Sequence, residues 1–82
     1  MAELTLYKFD TCPFCRKVMA YIDEAWPKDK PIAYRDVRRE ADAYDELLRI
    51  GGMTQVPCLV IDGVPLYESD DIVAWLAAHK DE

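Results

Sequence analysis

Three features of the sequence predict an α/β fold in which a four-stranded mixed sheet is flanked by helices, in the order β-α-β-α-β-β-α. The first is an apolar strand-like run that gives way, at Cys12-Pro13, to a stripe recurring every fourth residue. The second is the Gly51-Gly52 pair that closes another helical repeat. The third is a short β-branched run, Val56-Pro57-Cys58-Leu59-Val60-Ile61, turned back on itself at Asp62-Gly63. A change of hydrophobic period, from two residues to between three and four, is what distinguishes strand from helix in a sequence.

Each element has its own local reason. Leu4, Leu6 and Phe9, with Thr5 and Tyr7 between them, read as a first strand over residues 3–9. Proline at a first helical position lacks only an N–H that would be unpaired there, so Cys12-Pro13 opens a helix. Phe14, Val18, Ile22 and Trp26 lay one apolar stripe along it, and Pro27 stops it. Ile32, Tyr34 and Val37 mark a second strand. Ala41, Tyr44, Leu47 and Leu48 return to helical spacing, and Gly51-Gly52 ends that helix. Residues 56–61 suit a buried third strand. Asp62-Gly63 is a strong two-residue hairpin signal because both positions need positive φ. Val64-Pro65-Leu66-Tyr67 then returns along a sheet edge, where Pro65 does not interrupt a ladder. Ser69 is the expected N-cap of the last helix, with Asp70 and Asp71 in its positive first turn and Ile72, Val73, Leu76 and Ala77 facing the core. A β-α-β unit followed by a hairpin and a helix is the layout of the thioredoxin fold in its smallest form.

Composition narrows the function classes. The chain has 82 residues, 51% hydrophobic and 32% charged, a balance that suits a folded domain and argues against disorder. No linker, repeat or low-complexity tract divides it, so residues 1–82 are expected to form a single domain. The net charge of −6 argues against nucleic acid, whose binding needs clustered Lys and Arg. No apolar stretch is long enough to span a bilayer, and no basic-then-apolar leader opens the chain, so a cytoplasmic monomer is expected. Three cysteines, two of them three residues apart, suit one functional pair and one other thiol better than a disulfide-stapled secreted framework.

Cys12 and Cys15 carry the chemistry. A thiol at a helix N-terminus faces unpaired backbone N–H groups and the positive end of the helix dipole, both of which favour thiolate. Cys12 is expected there, as the nucleophile. Cys15 lies one turn on, on the same face but deeper, where it can act as the resolving thiol. A zinc site would need four ligands, and Cys58 and His79 are the only others on offer, without a second paired knuckle; no metal is expected. Cys58, in a buried strand, reads as a small inert hydrophobe. Trp26, Trp75 and the tyrosines read as packing residues, and His79 as a side chain favoured at a helix C-terminus.

The segment Leu6-Tyr7-Lys8-Phe9-Asp10-Thr11-Cys12-Pro13-Phe14-Cys15 resembles the active-site segment of dithiol glutaredoxins, which carry C-P-[YF]-C. Gln55-Val56-Pro57 is similar to that family's T-V-P segment, whose proline is cis, and Ser69-Asp70-Asp71 to its helix start. Together these marks cover essentially the whole chain. The resemblance implies a glutathione-dependent thiol-disulfide oxidoreductase that reduces glutathione mixed disulfides and protein disulfides, with glutathione as co-substrate and glutathionylated or disulfide-bonded proteins as partners. It further implies a glutathione groove walled by Phe14. In that groove the Val56 backbone, beside Pro57, pairs with the cysteinyl part. Gln55 reaches the peptide, Ser69 receives the γ-glutamyl carboxylate and Asp70 its ammonium.

Two departures stand out. Phe9 occupies the position where these proteins usually carry lysine, leaving Lys8 and Arg16 as the neighbouring positive charges. Tyr67-Glu68 replaces a glycine pair, and Glu68-Ser69 is similar to a pair in the N-terminal domain of glutathione transferases. The helical second domain of a transferase is not expected in this chain, which makes conjugation the less favoured activity. Three other readings remain: a thioredoxin-like reductant that does not use glutathione, a dimeric glutathione-ligated iron-sulfur carrier, and a non-catalytic interaction domain. The C-P-F-C pair and the Ser69-Asp70 helix start count against the first, Pro13 against the second, and retention of both cysteines against the third.

Overall fold

The computed structural model describes residues 3–82. The elements follow in the expected order: β1 (Leu4–Lys8), α1 (Pro13–Ala25), β2 (Ala33–Asp36), α2 (Ala41–Gly51), β3 (Cys58–Ile61), β4 (Val64–Tyr67) and α3 (Ser69–His79). The sheet order is β2-β1-β3-β4, with β1 and β2 parallel and the other two pairs antiparallel. This is the thioredoxin fold. No helix among the described residues is long and apolar enough to cross a membrane.

Side chains alternate across the sheet, and the core therefore divides into two layers. Leu4 and Leu6 of β1 and Leu59 of β3 meet Val18, Ile22 and Trp26 from α1 and Ile72 and Leu76 from α3. Tyr7, Cys58 and Val60 point the other way, onto Ala43 and Leu47 of α2. The β1–β3 register pairs Leu6 with Leu59 and Tyr7 with Cys58, so each layer receives matched residues from both central strands. Leu6, Leu47, Leu59, Ile72 and Leu76 are completely buried. Each such side chain stabilises the fold by roughly 1.5–3 kcal/mol relative to exposure.

The turns behave as their residues require. Asp62 and Gly63 both have positive φ, 50° and 86°, and β4 with Pro65 lies at the sheet edge. Gly52 caps α2 in the left-handed conformation, its N–H bonded to the Leu48 carbonyl at 2.8 Å.

Several expectations need correcting. Phe14 leaves the α1 stripe and is 63% exposed, because it sits on the first turn, beyond the sheet edge that Val18 and Ile22 cover. The buried face of α2 is Ala43 and Leu47, whereas Ala41, Tyr44 and Leu48 are exposed; the helix packs on a different stripe from the one its larger apolar residues suggest. Ala77 of α3 is likewise exposed. Strand β2 ends at Asp36 and not at Val37, and Tyr34, on this edge strand, is exposed. Strand β3 starts at Cys58, because Val56-Pro57 forms the loop before it and the bond between them is cis. Ser69 is not the N-cap of α3. That position belongs to Glu68, whose carbonyl accepts the first helical bond from the Ile72 N–H at 3.0 Å.

Gly51, at the end of α2, lies under Tyr67: a Cβ there would stand 1.7 Å from the phenolic oxygen. Gly51→Ala is therefore expected to cost about 1–3 kcal/mol through overpacking. Tyr67→Phe removes the oxygen that this Cβ would meet and should relieve part of that cost. Urea unfolding of the two single variants and the double variant measures the coupling.

Candidate active site

Strand β1 ends at Lys8, and the chain turns through residues 9–11 into α1. The Cys12 N–H donates to the Phe9 carbonyl at 3.2 Å, and the Arg16 N–H donates to the Cys12 carbonyl at 2.9 Å. These two bonds make Cys12 the N-cap of α1, with extended backbone (φ −77°, ψ 119°) and Pro13 as the first helical residue. Its Sγ accepts a hydrogen bond from the Cys15 backbone N–H at 3.4 Å. Sulfur thus fills the place that a serine or aspartate oxygen takes at other helix starts, and it meets one of the N–H groups left open there.

The two thiols occupy different environments. Cys12 keeps 7% of its surface exposed, whereas Cys15 is completely enclosed. Burial, reinforced by the hydrogen bond to Cys12, pushes the Cys15 thiol up to about 12; a hydrogen bond with the Phe9 backbone and the charge of Lys8 oppose the shift without offsetting it. Burial also pushes Cys58 up to about 11. All three cysteines are free thiols.

The residues on which the sequence places glutathione come together. Phe14, Gln55, Val56, Pro57, Ser69 and Asp70 line a cleft of about 390 Å³, joined there by Glu68. The arrangement follows from the sheet. The chain leaves β1, enters β3 and leaves β4 at one end of the strands, so the starts of α1 and α3 and the Val56-Pro57 loop meet along that end of the sheet. Exposed Phe14 forms one wall. Gln55 Nε2 donates to Glu68 Oε1 at 3.0 Å across the cleft, and Asp70 forms an ion pair with Lys17 of α1. Glu68 is the lining residue that sequence reasoning left out. Its signal was the Glu68-Ser69 pair, and its N-cap position at φ 72° explains why it lines the cleft beside Ser69.

A larger cavity, about 520 Å³, lies at the opposite end of the strands among Leu4, Trp26, Ala33, Trp75 and His79, remote from the dithiol. His79 closes α3 at that far end, ten residues from Ser69 and so about 15 Å along the helix. It stacks on Trp75 at 4.0 Å, which accounts for both side chains structurally.

On the other side of Cys12 lies a charged network. Lys8 Nζ reaches Asp10 at 2.6 Å and Asp36 at 3.5 Å. Asp36 is nearly buried and accepts the Arg38 and Arg39 backbone N–H groups at 2.9 and 3.0 Å. Burial works to raise its carboxyl, but those bonds and Lys8 prevail and hold it below the usual aspartate range.

Fold and site together define a thioredoxin-fold protein with a vicinal dithiol at the first helix and an adjoining elongated cleft. The pattern described as "Glutathione S-transferase, N-terminal domain" matches residues 6–82, nearly the whole chain, and the protein belongs to that family. Among curated relatives, glutaredoxin 3 of Escherichia coli (strain K12) is 26% identical over 76 residues, covering 90% of this chain and 86% of its own. Among solved structures, an epsilon-class glutathione S-transferase from the housefly, Musca domestica, superimposes with a TM-score of 0.76 at 26% identity; it matches 98% of this chain, which spans 36% of the transferase. Oxidized glutaredoxin 2 from Chlamydomonas reinhardtii gives a TM-score of 0.63 at 26% identity, over 96% of this chain and 75% of its own. The glutaredoxin resemblance read from three motifs, and the transferase features beside it, are both borne out.

With Cys15 and Cys58 held as neutral thiols, alkylation at pH 7 is expected to fall on Cys12 first. Limited iodoacetamide treatment followed by peptide mass spectrometry checks this; equal labelling of Cys15 would contradict the thiol asymmetry.

Proposed function

We propose that this protein is a glutathione-dependent thiol-disulfide oxidoreductase that removes glutathione from mixed disulfides and reduces protein disulfides. The observation that carries the reading is the position of Cys12. It caps α1 beside the cleft lined by Phe14, Gln55, Val56, Pro57, Ser69 and Asp70. The glutaredoxin and transferase relatives support a glutathione-related thiol chemistry.

In the first step the Cys12 thiolate attacks the glutathione sulfur of the mixed disulfide. The Cys12–glutathione bond forms, the substrate's S–S bond breaks, and the substrate leaves as a thiolate that takes a proton from solvent. A second glutathione, as thiolate, then attacks the glutathione sulfur on Cys12. Glutathione disulfide departs and the Cys12 thiolate returns. Two glutathione equivalents, one of them from the mixed disulfide, end as glutathione disulfide while one protein thiol is released. In the cleft, Ser69 and Asp70 receive the γ-glutamyl carboxylate and ammonium, the Val56 backbone pairs with the cysteinyl unit, and Phe14 covers the apolar side. Glutathionylated and disulfide-bonded proteins are the partners, and the protein acts as a monomeric single domain in the reducing cytosol.

Cys15 offers the second exit, attack on the Cys12 sulfur to give an internal disulfide with release of glutathione. Glutathionylation of Cys12 removes part of the upward pressure on Cys15, but burial, the largest cause, remains. Cys15 thus remains mostly a neutral thiol at pH 7, and its reactive thiolate grows as pH rises. The glutathione route therefore dominates at neutral pH.

A coupled assay with a small glutathione mixed disulfide, glutathione and glutathione reductase tests the cycle. Cys12→Ser is expected to abolish turnover and Cys15→Ser to retain it; full activity in Cys12→Ser would overturn the mechanism. Asp70→Ala should raise the KM for glutathione by about tenfold, the loss of one exposed charge-assisted contact.

Closure of the internal disulfide should accelerate with pH throughout pH 6–9. Stopped-flow release of glutathione from Cys12-glutathionylated protein measures it, and a pH-independent rate would show that Cys15 is not the group that titrates.

A further inference from the structure

The sheet topology sets two oppositely charged surfaces on either side of Cys12. At the end of the strands where the dithiol lies, the elements follow the strand order β2-β1-β3-β4. The β3 and β4 side carries the cleft, with Glu68 and Asp70 in its lining, Asp70 paired with Lys17 of α1 and Glu68 without a cationic partner among the described residues. The β2 side carries Lys8, Arg16, Arg38 and Arg39, gathered around the turn that leads into Cys12. Arg16 Nε donates to the Asp10 carbonyl at 2.8 Å. The Arg38 guanidinium lies 3.8 Å from the centroid of the Phe9 ring. Arg39 reaches Asp10 at 3.4 Å and Asp36 at 3.9 Å while remaining 77% exposed. Lys8 is enclosed and taken up by the same two carboxylates.

With Arg35 and its partners Glu40 and Asp42 included, five cations face four carboxylates, an excess of one positive charge in a chain whose net charge is −6. Neither Arg16 nor Arg38 has a carboxylate within salt-bridge distance among the described residues. Their positions are set by contacts that leave charge unneutralised: a carbonyl for Arg16 and an aromatic face for Arg38. A guanidinium held in place has already lost much of the side-chain freedom that binding would otherwise remove.

We propose that this arginine rim is the docking surface for the protein half of the substrate, and that it selects substrates whose reactive cysteine lies beside an acidic segment. The inference rests on the function proposed above: with glutathione in the cleft on the β3–β4 side, the polypeptide attached to it lies against another surface, and the β2 side is the one with unneutralised positive charge. An acidic substrate would meet repulsion over most of this acidic protein and attraction at this rim, a distribution that steers encounter toward Cys12.

The test uses two synthetic peptides of equal length, each with one glutathionylated cysteine, flanked by glutamates in one and lysines in the other. At low ionic strength kcat/KM is expected to favour the acidic peptide by about tenfold, the lower end of electrostatic steering. The preference should collapse in 0.5 M salt, where screening shortens to a few ångströms. It should also be lost in Arg38→Gln/Arg39→Gln, while turnover of the cysteine–glutathione disulfide, which carries no peptide, stays unchanged. Arg38→Gln alone, which gives up only the Phe9 contact, gives the same direction if Arg39 proves necessary for folding. Equal rates on both peptides, or a preference that survives in both variants, would overturn the rim assignment while leaving the glutathione cycle intact. Absence of turnover on the small disulfide would instead overturn the cycle. In that case anisotropy of a fluorescent glutamate-rich peptide, titrated with wild type and the double variant, still decides the rim: salt-sensitive binding to wild type only supports it, and equal binding overturns it.

Discussion

The antiparallel pairing of β1 with β3 organises both the core and the site. Tyr7 opposite Cys58 and Leu6 opposite Leu59 commit every other residue of both strands to one or other face of the sheet. A slip of one position would send Leu6 and Leu59 to different layers, leaving the α1–α3 core without half of its sheet contribution. The same register determines the chemistry. It ends β1 where β3 begins, so the turn carrying Cys12 and the loop carrying Val56-Pro57 emerge at the same end of the sheet. The antiparallel β3–β4 hairpin then returns the chain to that end at Ser69.

Within this frame, burial makes two similar thiols different. Cys12 and Cys15 share a helical turn, yet one caps the helix with a small part of its surface still exposed and the other is sealed completely. Desolvation disfavours the charged form of the enclosed thiol, whereas the outer sulfur receives a backbone N–H. The proposed roles of nucleophile and reserve thiol rest on this difference in depth. Charge is divided in a comparable way. The β2 side gathers arginines over a buried aspartate, and the β4 side gathers carboxylates around the cleft, because the strand order places those loops on opposite sides of the turn that carries Cys12.

Much of this was legible residue by residue. Pro13 after Cys12, the positive φ demanded by Asp62-Gly63 and the edge position demanded by Pro65 are local rules, and each was met. The errors lie where packing overrides pattern. Phe14 fits the α1 stripe by spacing but extends past the sheet, so it is exposed beside the cleft. On α2 the small Ala43 lies against the sheet while Tyr44 and Leu48 do not, a choice that depends on the space left above Tyr7 and Val60. Ser69 is a good capping residue, but the backbone leaves β4 so that Glu68 takes the cap and Ser69 the first helical turn.

The order of elements, the strand–helix position of the dithiol and the family to which the chain is similar could all be read from the residues in line. Periodicity, turn chemistry and short motifs are properties of neighbours along the chain. Packing set the remainder: which residues line the cleft together, Glu68 among them, the sealing of Cys15, and the placement of Arg16 and Arg38 without a neutralising carboxylate among the described residues. Those properties depend on distances between segments far apart in sequence. The register of β1 on β3 and the exclusion of water from the layers beside it set those distances.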